Sequence, residues 1–259
     1  MPANYQNIKF RIEDRTARIT FARPPLNIFN IAMMGEINDA LTQCAHEREL
    51  VAIVFDAGAE CNAFSAGVAI EEHVEETIFQ MLDSFHGIFR NLESIARPTI
   101  AIVDGAALGG GCELVTACDI VIASERARFG QPEIKLGVFP PVAALLLPQA
   151  IGDKRARELM LTGELIEASE AARLGLVNYL LPSNELEQKT SELLSRFRNL
   201  SAAALALTKE AIDLGRGRTL DSALKEVESL YLNELMRTQD AAEGIKAFTE
   251  KRKPEWRHR

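Results

Sequence analysis

Hydrophobic residues recur along the chain in two patterns that predict different secondary structures. Short β-branched or continuous apolar runs are typical of strands, and they lie at 8–12, 17–22, 51–55, 98–105, 119–124 and 176–181. Apolar residues spaced by three and four are typical of helices, and the predicted helices lie at 31–46, 74–95, 110–118, 184–198, 201–214, 218–237 and 239–251. Because strands and helices alternate until residue 184, the pattern predicts an α/β protein with parallel or spiralling strands.

Composition and charge narrow the class of protein. The 259 residues are 47% hydrophobic and 25% charged, which is ordinary for a globular protein. A net charge of -8 argues against a nucleic-acid or anionic membrane partner. We find neither a signal sequence nor an apolar run long enough to cross a bilayer, so we expect a cytoplasmic protein. The basic segment 251–259 is interpreted as a solvated tail.

Cysteine and histidine give little sign of metal or redox chemistry. The four cysteines form no C-x-x-C pair in this large chain, so we expect them to be reduced. The four histidines lack the spacing of a metal pair, so we expect no metal. His86 borders the apolar face of a predicted helix and is interpreted as a hydrogen-bonded structural residue. His73 closes the polar segment 57–73, where a structural role and a pocket role both remain open.

A cluster of four glycines among seven residues opens the predicted helix at 110–118, in the stretch GAALGGGCE from Gly105 to Glu113. Glycine costs about 1 kcal/mol relative to alanine inside a helix, so the cluster indicates a tight turn or a close approach of a ligand to the backbone. Its spacing matches neither phosphate-binding glycine motif nor the nucleophile elbow of serine hydrolases. The N–H groups at this helix start could instead bind a developing oxyanion.

Two glutamates accompany the glycine cluster. Glu113 lies in the first helical turn, where a favourable interaction with the helix dipole would also explain a carboxylate. Glu133 follows Pro132 at the end of a loop, after a strand expected to run beside the preceding one. Two carboxyl groups placed together can divide proton transfer, because one is ionised and accepts a proton while the other donates one.

These motifs resemble the enoyl-CoA hydratase/isomerase (crotonase) superfamily. The likeness is carried by IAIVDGAALGGGCELVTACDIVIASERARFGQPEIKLGVFP and extends from the first predicted strand to FTEKRKP near the end of the chain. The resemblance implies a spiral of ββα repeats with the active site in residues 1–198. It also implies a C-terminal helical trimerisation region in residues 199–259, and hence a homotrimer or a dimer of trimers.

The resemblance assigns roles to four residues. It implies an acyl-CoA thioester substrate whose carbonyl oxygen accepts hydrogen bonds from the backbone N–H groups of Val68 and Gly110. It also implies that Glu113 and Glu133 are the catalytic acids, and the presence of both favours hydration. No separate cofactor is expected, since coenzyme A is part of the substrate.

Further matches suggest a subfamily and additional contacts. Ala69 and the apolar segment 140–152 replace polar motifs of straight-chain hydratases, and together with 24–34 and 81–92 they resemble cyclohexa-1,5-diene-1-carbonyl-CoA hydratases. The expected reaction is therefore hydration of a cyclic dienoyl-CoA. Straight-chain hydration, double-bond isomerisation and a non-catalytic binding role of the same fold remain alternatives. Further predicted substrate contacts are Ala66, Ile70, Pro141 and Phe248. Arg23 and Lys251 are candidates to bind the phosphates of CoA, and a solvated charge remains the alternative for both.

Overall fold

The chain winds through two β-sheets in a spiral of strands and helices. The computed structural model describes residues 5–258. Over these residues the strands are β1 Ile8–Glu13, β2 Thr16–Phe21, β3 Ala52–Ala57, β4 Ala63–Ser65, β5 Thr99–Val103, β6 Ala106–Leu108, β7 Ile120–Ser124, β8 Arg128–Gly130, β9 Leu165–Glu167 and β10 Tyr179–Leu181. The larger sheet has the order β1-β2-β3-β5-β7-β10 and the smaller one the order β4-β6-β8-β9.

Ten α-helices connect and cover these strands within the same described range. They are α1 Ile31–His46, α2 Ile78–Ile95, α3 Gly110–Ala117, α4 Pro141–Ile151, α5 Asp153–Thr162, α6 Ala168–Leu174, α7 Leu186–Arg198, α8 Ala202–Leu214, α9 Leu220–Asn233 and α10 Gln239–Thr249. None of them has the length and hydrophobicity needed to cross a bilayer.

Successive turns of the spiral place one strand in each sheet before a helix follows. β3 and β4 precede α2, and β5 and β6 precede α3. The β3, β5 and β7 strands pair in parallel in the larger sheet, and β4, β6 and β8 pair in parallel in the smaller one. The predicted α/β spiral of ββα repeats is therefore confirmed. Because the ββα unit repeats, the ends of β4, β6 and β8 lie in one region of the smaller sheet. Val68, Gly110 and Glu133 follow these three strands.

The central strands β3 and β5 of the larger sheet are buried on both faces, which explains their continuous apolar runs. Along β3, Ile53 and Phe55 belong to the main core, whereas Val54 faces a second cluster. That second cluster includes Leu193 and Leu194 of α7. Since successive residues of a strand point to opposite sides, each face receives every second side chain.

Several elements differ from those predicted. The predicted loop 57–73 contains β4. The sequence did not indicate this strand, because three residues are too few to show an alternating pattern. The predicted helix starting at Val74 begins instead at Ile78. The hydroxyl of Thr77 donates to the carbonyl of Glu72 at 3.0 Å, which holds residues 72–77 as a turn. This turn leaves the Glu72 carboxylate free to accept the N–H of Ile31 at the start of α1.

The backbone of the C-terminal basic segment is docked in its described part, which excludes Arg259, whereas the side chains of Lys251, Lys253 and Arg257 are exposed. The Trp256 indole donates to the carbonyl of Asn199 at 2.8 Å. The backbone N–H groups of Arg257 and His258 donate to the buried carboxylate of Asp240 at 2.6 and 2.9 Å. The prediction of a solvated tail therefore holds for these basic side chains but not for the backbone, which satisfies a carboxylate that is only 2% exposed.

Three further predictions concern the cysteines, His86 and the division of the chain. All four cysteines are free, as expected. His86 is wrongly interpreted as fully hydrogen-bonded, since its Nε2 is buried without a partner among the described residues. Burial and the nearby charge of Arg90 lower the pKa of His86. The predicted division between residues 198 and 199 falls at the end of α7 and stays a prediction, and residues 1–4 and 259 of the two regions lie outside the described residues.

Candidate active site

A cavity of about 510 Å³ lies where the ends of the smaller sheet meet α2 and the start of α4. Its walls are mostly apolar, and α2 contributes Ile78, Met81, Leu82 and Phe85. The described residues that line it include neither lysine nor arginine. Glu113 and Glu133 therefore face a largely apolar space in which no described lysine or arginine side chain can neutralise them.

Glu113 is fixed by the N-terminus of a different helix. It lies in the first turn of α3 and is only 2% exposed. Its Oε1 accepts the backbone N–H groups of Val142 and Ala143, each at 2.8 Å. These amides belong to the first turn of α4 and have no partner within their own helix. One carboxylate oxygen is thus anchored, and the other remains available to a ligand.

Glu133 is positioned by the short turn after β8 and by a buried amide. Pro132 begins a 3-10 turn that covers Pro132–Leu136. Gln131 is fully buried, and its amide nitrogen must face the carboxylate, since the opposite orientation would bring oxygen against acceptors only. In this orientation it donates to Glu133 Oε1 and Oε2 at 3.2 and 3.3 Å and to the carbonyl of Gly109 at 3.3 Å.

Burial makes both carboxyl groups weaker acids than an exposed glutamate. The pKa of Glu113 is raised to about 7, first by desolvation and further by the nearby charge of Glu133, although the two amides of α4 oppose this rise. The pKa of Glu133 is also raised to about 7 by desolvation. Because each ionised group disfavours ionisation of the other, they titrate as a pair. Near neutral pH the pair can both accept and donate a proton.

The raised pKa values predict a dependence of stability on pH. The unfolded carboxyls ionise near 4.5 and the folded ones near 7, so the folded protein holds protons that the unfolded chain has lost. Their contribution to stability is complete below about pH 4.5 and is lost as the pH rises through about 7. The double variant Glu113→Gln/Glu133→Gln removes this loss. We expect its Tm to exceed that of the wild type by a few degrees at about pH 8 and by less at about pH 5.

Thermal unfolding at both pH values measures this difference. The matched control is Glu71→Gln, which changes an exposed carboxylate in the lining of the same cavity. An increase in Tm that is equal at the two pH values would contradict the proposed ionisation of the pair.

Backbone N–H groups of two turns face the same cavity. Val68 forms a parallel bridge with Phe29, in which Phe29 N donates to Gly67 O and Ala69 N donates to Phe29 O. This pattern turns the N–H of Val68 itself away from Phe29. Gly110 is the first residue of α3, so its N–H has no partner within the helix. Both residues line the cavity and can donate to one carbonyl oxygen.

The glycine cluster permits this close approach. A Cβ atom on Gly110 would lie 2.8 Å from Val68 Cγ2 and 2.9 Å from Phe85 Cζ. Gly109 has a φ of 51°, and a Cβ there would lie 2.6 Å from Glu133 Oε1. The cluster therefore brings the two turns and the carboxyl group of Glu133 together. The tight turn predicted from the glycines is observed, and the approach of a ligand to this backbone stays a prediction.

The structure brings together most of the predicted site residues but not all of them. Seven line the cavity, namely Glu113, Glu133, Val68, Gly110, Ala66, Ile70 and Pro141. Arg23 is outside the lining, but its guanidinium donates at 2.9 Å to the carbonyl of Ile28, a residue of the cavity wall. Phe248 and Lys251 are exposed on the C-terminal helical region and do not line this cavity. Their substrate contact stays a prediction.

Sequence reasoning missed three contributors to the site. The amides of Val142 and Ala143 hold Glu113, and the buried amide of Gln131 contacts Glu133. The Pro140-Pro141 pair carried a usable signal, because proline favours the first position of a helix and so predicts free N–H groups just after it. His73 lines the cavity, and its Nδ1 lies 2.9 Å from the carbonyl of Ala69, so the pocket role left open for it gains support.

A ββα spiral whose apolar cavity is lined by two carboxyl groups, by Val68 and by the first residue of α3 is consistent with an enzyme that acts on an unsaturated acyl thioester. The chain belongs to the enoyl-CoA hydratase/isomerase family, whose sequence profile matches residues 11–259. The predicted family is thus confirmed, and the protein is an enoyl-CoA hydratase-type enzyme with an unsaturated acyl-CoA substrate.

Relatives and solved structures agree with this assignment. A probable enoyl-CoA hydratase of Mycobacterium bovis is 37% identical, with 98% of this chain and 99% of the relative covered. The cyclohexa-1,5-dienecarbonyl-CoA hydratase of Thauera aromatica is also 37% identical, with 93% of each chain covered. The structure of an enoyl-CoA hydratase from Bacillus anthracis matches with a TM-score of 0.91 and 33% identity, with 98% of this chain and all of that one covered.

Proposed function

We propose that this enzyme hydrates cyclohexa-1,5-diene-1-carbonyl-CoA to 6-hydroxycyclohex-1-ene-1-carbonyl-CoA. The observation that carries the proposal is the joint placement of Glu113, Glu133 and the amides of Val68 and Gly110 in one largely apolar cavity. The likeness to the hydratase of Thauera aromatica supports the cyclic substrate. So does Ala69, which leaves an apolar, buried side chain beside the oxyanion turn.

Hydration begins when water is deprotonated between the two carboxyl groups. A carboxylate of the pair takes one proton from water as the oxygen bonds to C2, the ring carbon β to the thioester. The π electrons of C1=C2 move onto the thioester oxygen, which accepts the N–H groups of Val68 and Gly110. Such preorganised donors stabilise the developing charge strongly, because they need no reorientation during the reaction.

The second half of the reaction returns a proton to carbon. The dienolate is conjugated with C5=C6, so its electron pair can take a proton at C5 from the protonated acid pair. The thioester carbonyl re-forms, and the remaining double bond lies between C1 and C6. One water has been added, the acid pair has regained its original protonation, and the product numbering places the hydroxyl on C6.

The apolar wall favours a compact ring as the acyl group. Phe85 is 3% exposed and packs edge to face on Phe89, with ring centroids 5.0 Å apart. Val138, Phe139 and Pro140 also line the cavity. A hydrocarbon ring buried here leaves no polar group of its own unpaired, and burial of its apolar surface stabilises the complex.

A comparison of two substrates tests the acyl group. We expect kcat/KM for cyclohexa-1,5-diene-1-carbonyl-CoA to exceed kcat/KM for crotonyl-CoA by about tenfold or more, since differences in apolar burial discriminate by about 10–200-fold. Faster hydration of crotonyl-CoA would favour straight-chain hydration, which the likeness to the short-chain-enoyl-CoA hydratase of Clostridium acetobutylicum also supports at 36% identity. Conversion of 3-enoyl-CoA alone would indicate an isomerase, and acyl-CoA binding without turnover would indicate a binding protein.

The proposed function includes an assembly of three or six chains. The C-terminal helices carry exposed apolar side chains, among them Ile212, Leu220, Leu232 and Phe248. A groove of about 400 Å³ also lies among α8, α9 and α10. Surplus apolar surface of this kind is typical of an interface between subunits. In such an assembly Phe248 and Lys251 could contact the CoA bound by a neighbouring chain, while Arg23 would bind its phosphates in the same chain.

Sedimentation equilibrium tests the assembly. We expect a mass three or six times that of one chain at micromolar concentration. A single chain at that concentration would contradict the proposed interface. The roles proposed for Phe248 and Lys251 would fail with it.

A further inference from the structure

A buried serine supports the turn that presents the N–H of Val68. Ser65 ends β4 and is fully buried. Its hydroxyl donates to the carbonyl of Asn27 at 2.8 Å and accepts the N–H of Gly67 at 3.2 Å. Gly67 directly precedes Val68 and has a φ of 109°, a conformation that favours glycine. The hydroxyl of Ser65 therefore ties this left-handed turn to a neighbouring segment.

The neighbouring segment is itself held firmly. Asn27 is fully buried, and its side-chain nitrogen donates to the carbonyl of Ala63 at 2.9 Å. Its Oδ1 accepts the N–H of Arg23 at 2.9 Å. Asn27 is thus anchored through both polar atoms of its side-chain amide. A hydrogen bond from Ser65 to its carbonyl transmits that anchorage to the turn at Gly67.

Ser65 also contacts the helix that supplies the second amide. A Cβ placed on Gly111 would lie 2.5 Å from the carbonyl oxygen of Ser65 and 2.8 Å from its Cβ. A Cβ placed on Gly67 would lie 3.7 Å from the nitrogen of Gly110. Ser65 is therefore packed between the turn of Val68 and the first turn of α3.

We propose that Ser65 is a positioning residue that sets the separation and direction of the Val68 and Gly110 N–H groups. The proposal rests on the proposed function, since it assumes that these two amides bind the thioester oxygen. Ser65 is buried and absent from the cavity lining, so it acts through Gly67 and α3. Donors held in advance at the position of the oxyanion are what makes such a site effective.

The substitution Ser65→Ala removes the hydroxyl and leaves the N–H of Gly67 and the carbonyl of Asn27 without this partner. We expect kcat to fall by about tenfold or more with KM changed by less than about threefold, because displacement by 1 Å can cost about 10²-fold. The substrate is whichever enoyl-CoA the wild type hydrates fastest. The test therefore stands even if the cyclic substrate is wrong, and absence of any wild-type hydration would refute the proposed function instead.

A spectroscopic measurement separates positioning from general loss of structure. Butyryl-CoA, a saturated thioester labelled with ¹³C at the carbonyl, is bound to each variant, and the frequency of the carbonyl stretch is recorded. Hydrogen bonds from the two amides lower this frequency. We expect the band in Ser65→Ala to shift back toward its position in free butyryl-CoA.

Two further variants make the outcome decisive. Ser65→Cys keeps a weak donor and is expected to fall between wild type and Ser65→Ala in both kcat and carbonyl frequency. Thr190→Val removes another fully buried hydroxyl, which donates to the carbonyl of Leu186 far from the cavity, and is expected to change neither. If Ser65→Ala does not fold, kcat and the carbonyl frequency measured with Ser65→Cys test the proposal instead. Unchanged kcat, or reduced kcat with an unmoved carbonyl band, would overturn the proposal.

Discussion

Replacement of Glu133 by glutamine is expected to lower kcat by about 10²–10⁴-fold, the usual contribution of a positioned acid or base. Glutamine preserves the size of the side chain but cannot exchange a proton with water or with a carbon atom of the enoyl substrate. Its amide can still lie near Gln131 and above Gly109, so the shape of the cavity should survive. We therefore expect the Kd for acyl-CoA to change little. Steady-state kinetics and calorimetric titration with butyryl-CoA measure the two quantities.

The control for this experiment is Glu71→Gln. Glu71 lines the same cavity but is exposed at its rim, so its neutralisation tests the effect of one lost charge without the proposed proton transfer. Turnover by this variant should remain close to that of the wild type. Equal turnover by Glu133→Gln and wild type would refute the assigned role of Glu133.

Replacement of Gly110 by alanine is expected to lower kcat by about 10²–10³-fold, which is typical for loss of one oxyanion donor. The added Cβ would lie 2.8 Å from Val68 Cγ2 and 2.9 Å from Phe85 Cζ, so the two turns must separate. Alanine is otherwise the better helix former, by about 1 kcal/mol. The loss of activity should thus exceed any loss of stability. The carbonyl frequency of bound ¹³C-labelled butyryl-CoA should also rise.

Gly35→Ala provides the matched control. Gly35 lies within α1, and a Cβ there would meet nothing within 4 Å. This variant should hydrate enoyl-CoA like the wild type and be equally or slightly more stable. Should Gly110→Ala also retain full activity, the thioester oxygen cannot depend on a close approach between Val68 and Gly110.

Much of the site could be predicted because its residues lie in short, ordered motifs. The glycine cluster, Glu113 and Glu133 are within 29 residues of each other, from Gly105 to Glu133, and their types match a known family. Strands such as β3 and β5 were predictable because their apolar runs are continuous. The three-residue strands β4, β6 and β8 were not, since so short a segment carries no periodicity.

Contacts between segments that are distant along the chain could not be predicted from the local sequence pattern. Glu113 is held by amides 29 and 30 residues further along the chain, and Ser65 by a carbonyl 38 residues earlier. The docking of residues 256–258 onto Asp240 and Asn199 likewise involves partners that spacing does not reveal. The described lysine and arginine side chains of the basic segment are exposed, as their charge suggests, but its backbone N–H groups bind a buried carboxylate.

By itself the sequence determined the family and the longer strands and helices, and it predicted the two acids and the glycine-rich turn, because these depend on residue type and local spacing. Only the tertiary structure decided that both acids lie in an apolar cavity with pKa values raised to about 7. It also decided that the hydroxyl of Ser65, outside that cavity, accepts the N–H of Gly67 in the turn before Val68. The physical reason is that desolvation and long-range hydrogen bonds arise only when distant segments pack together.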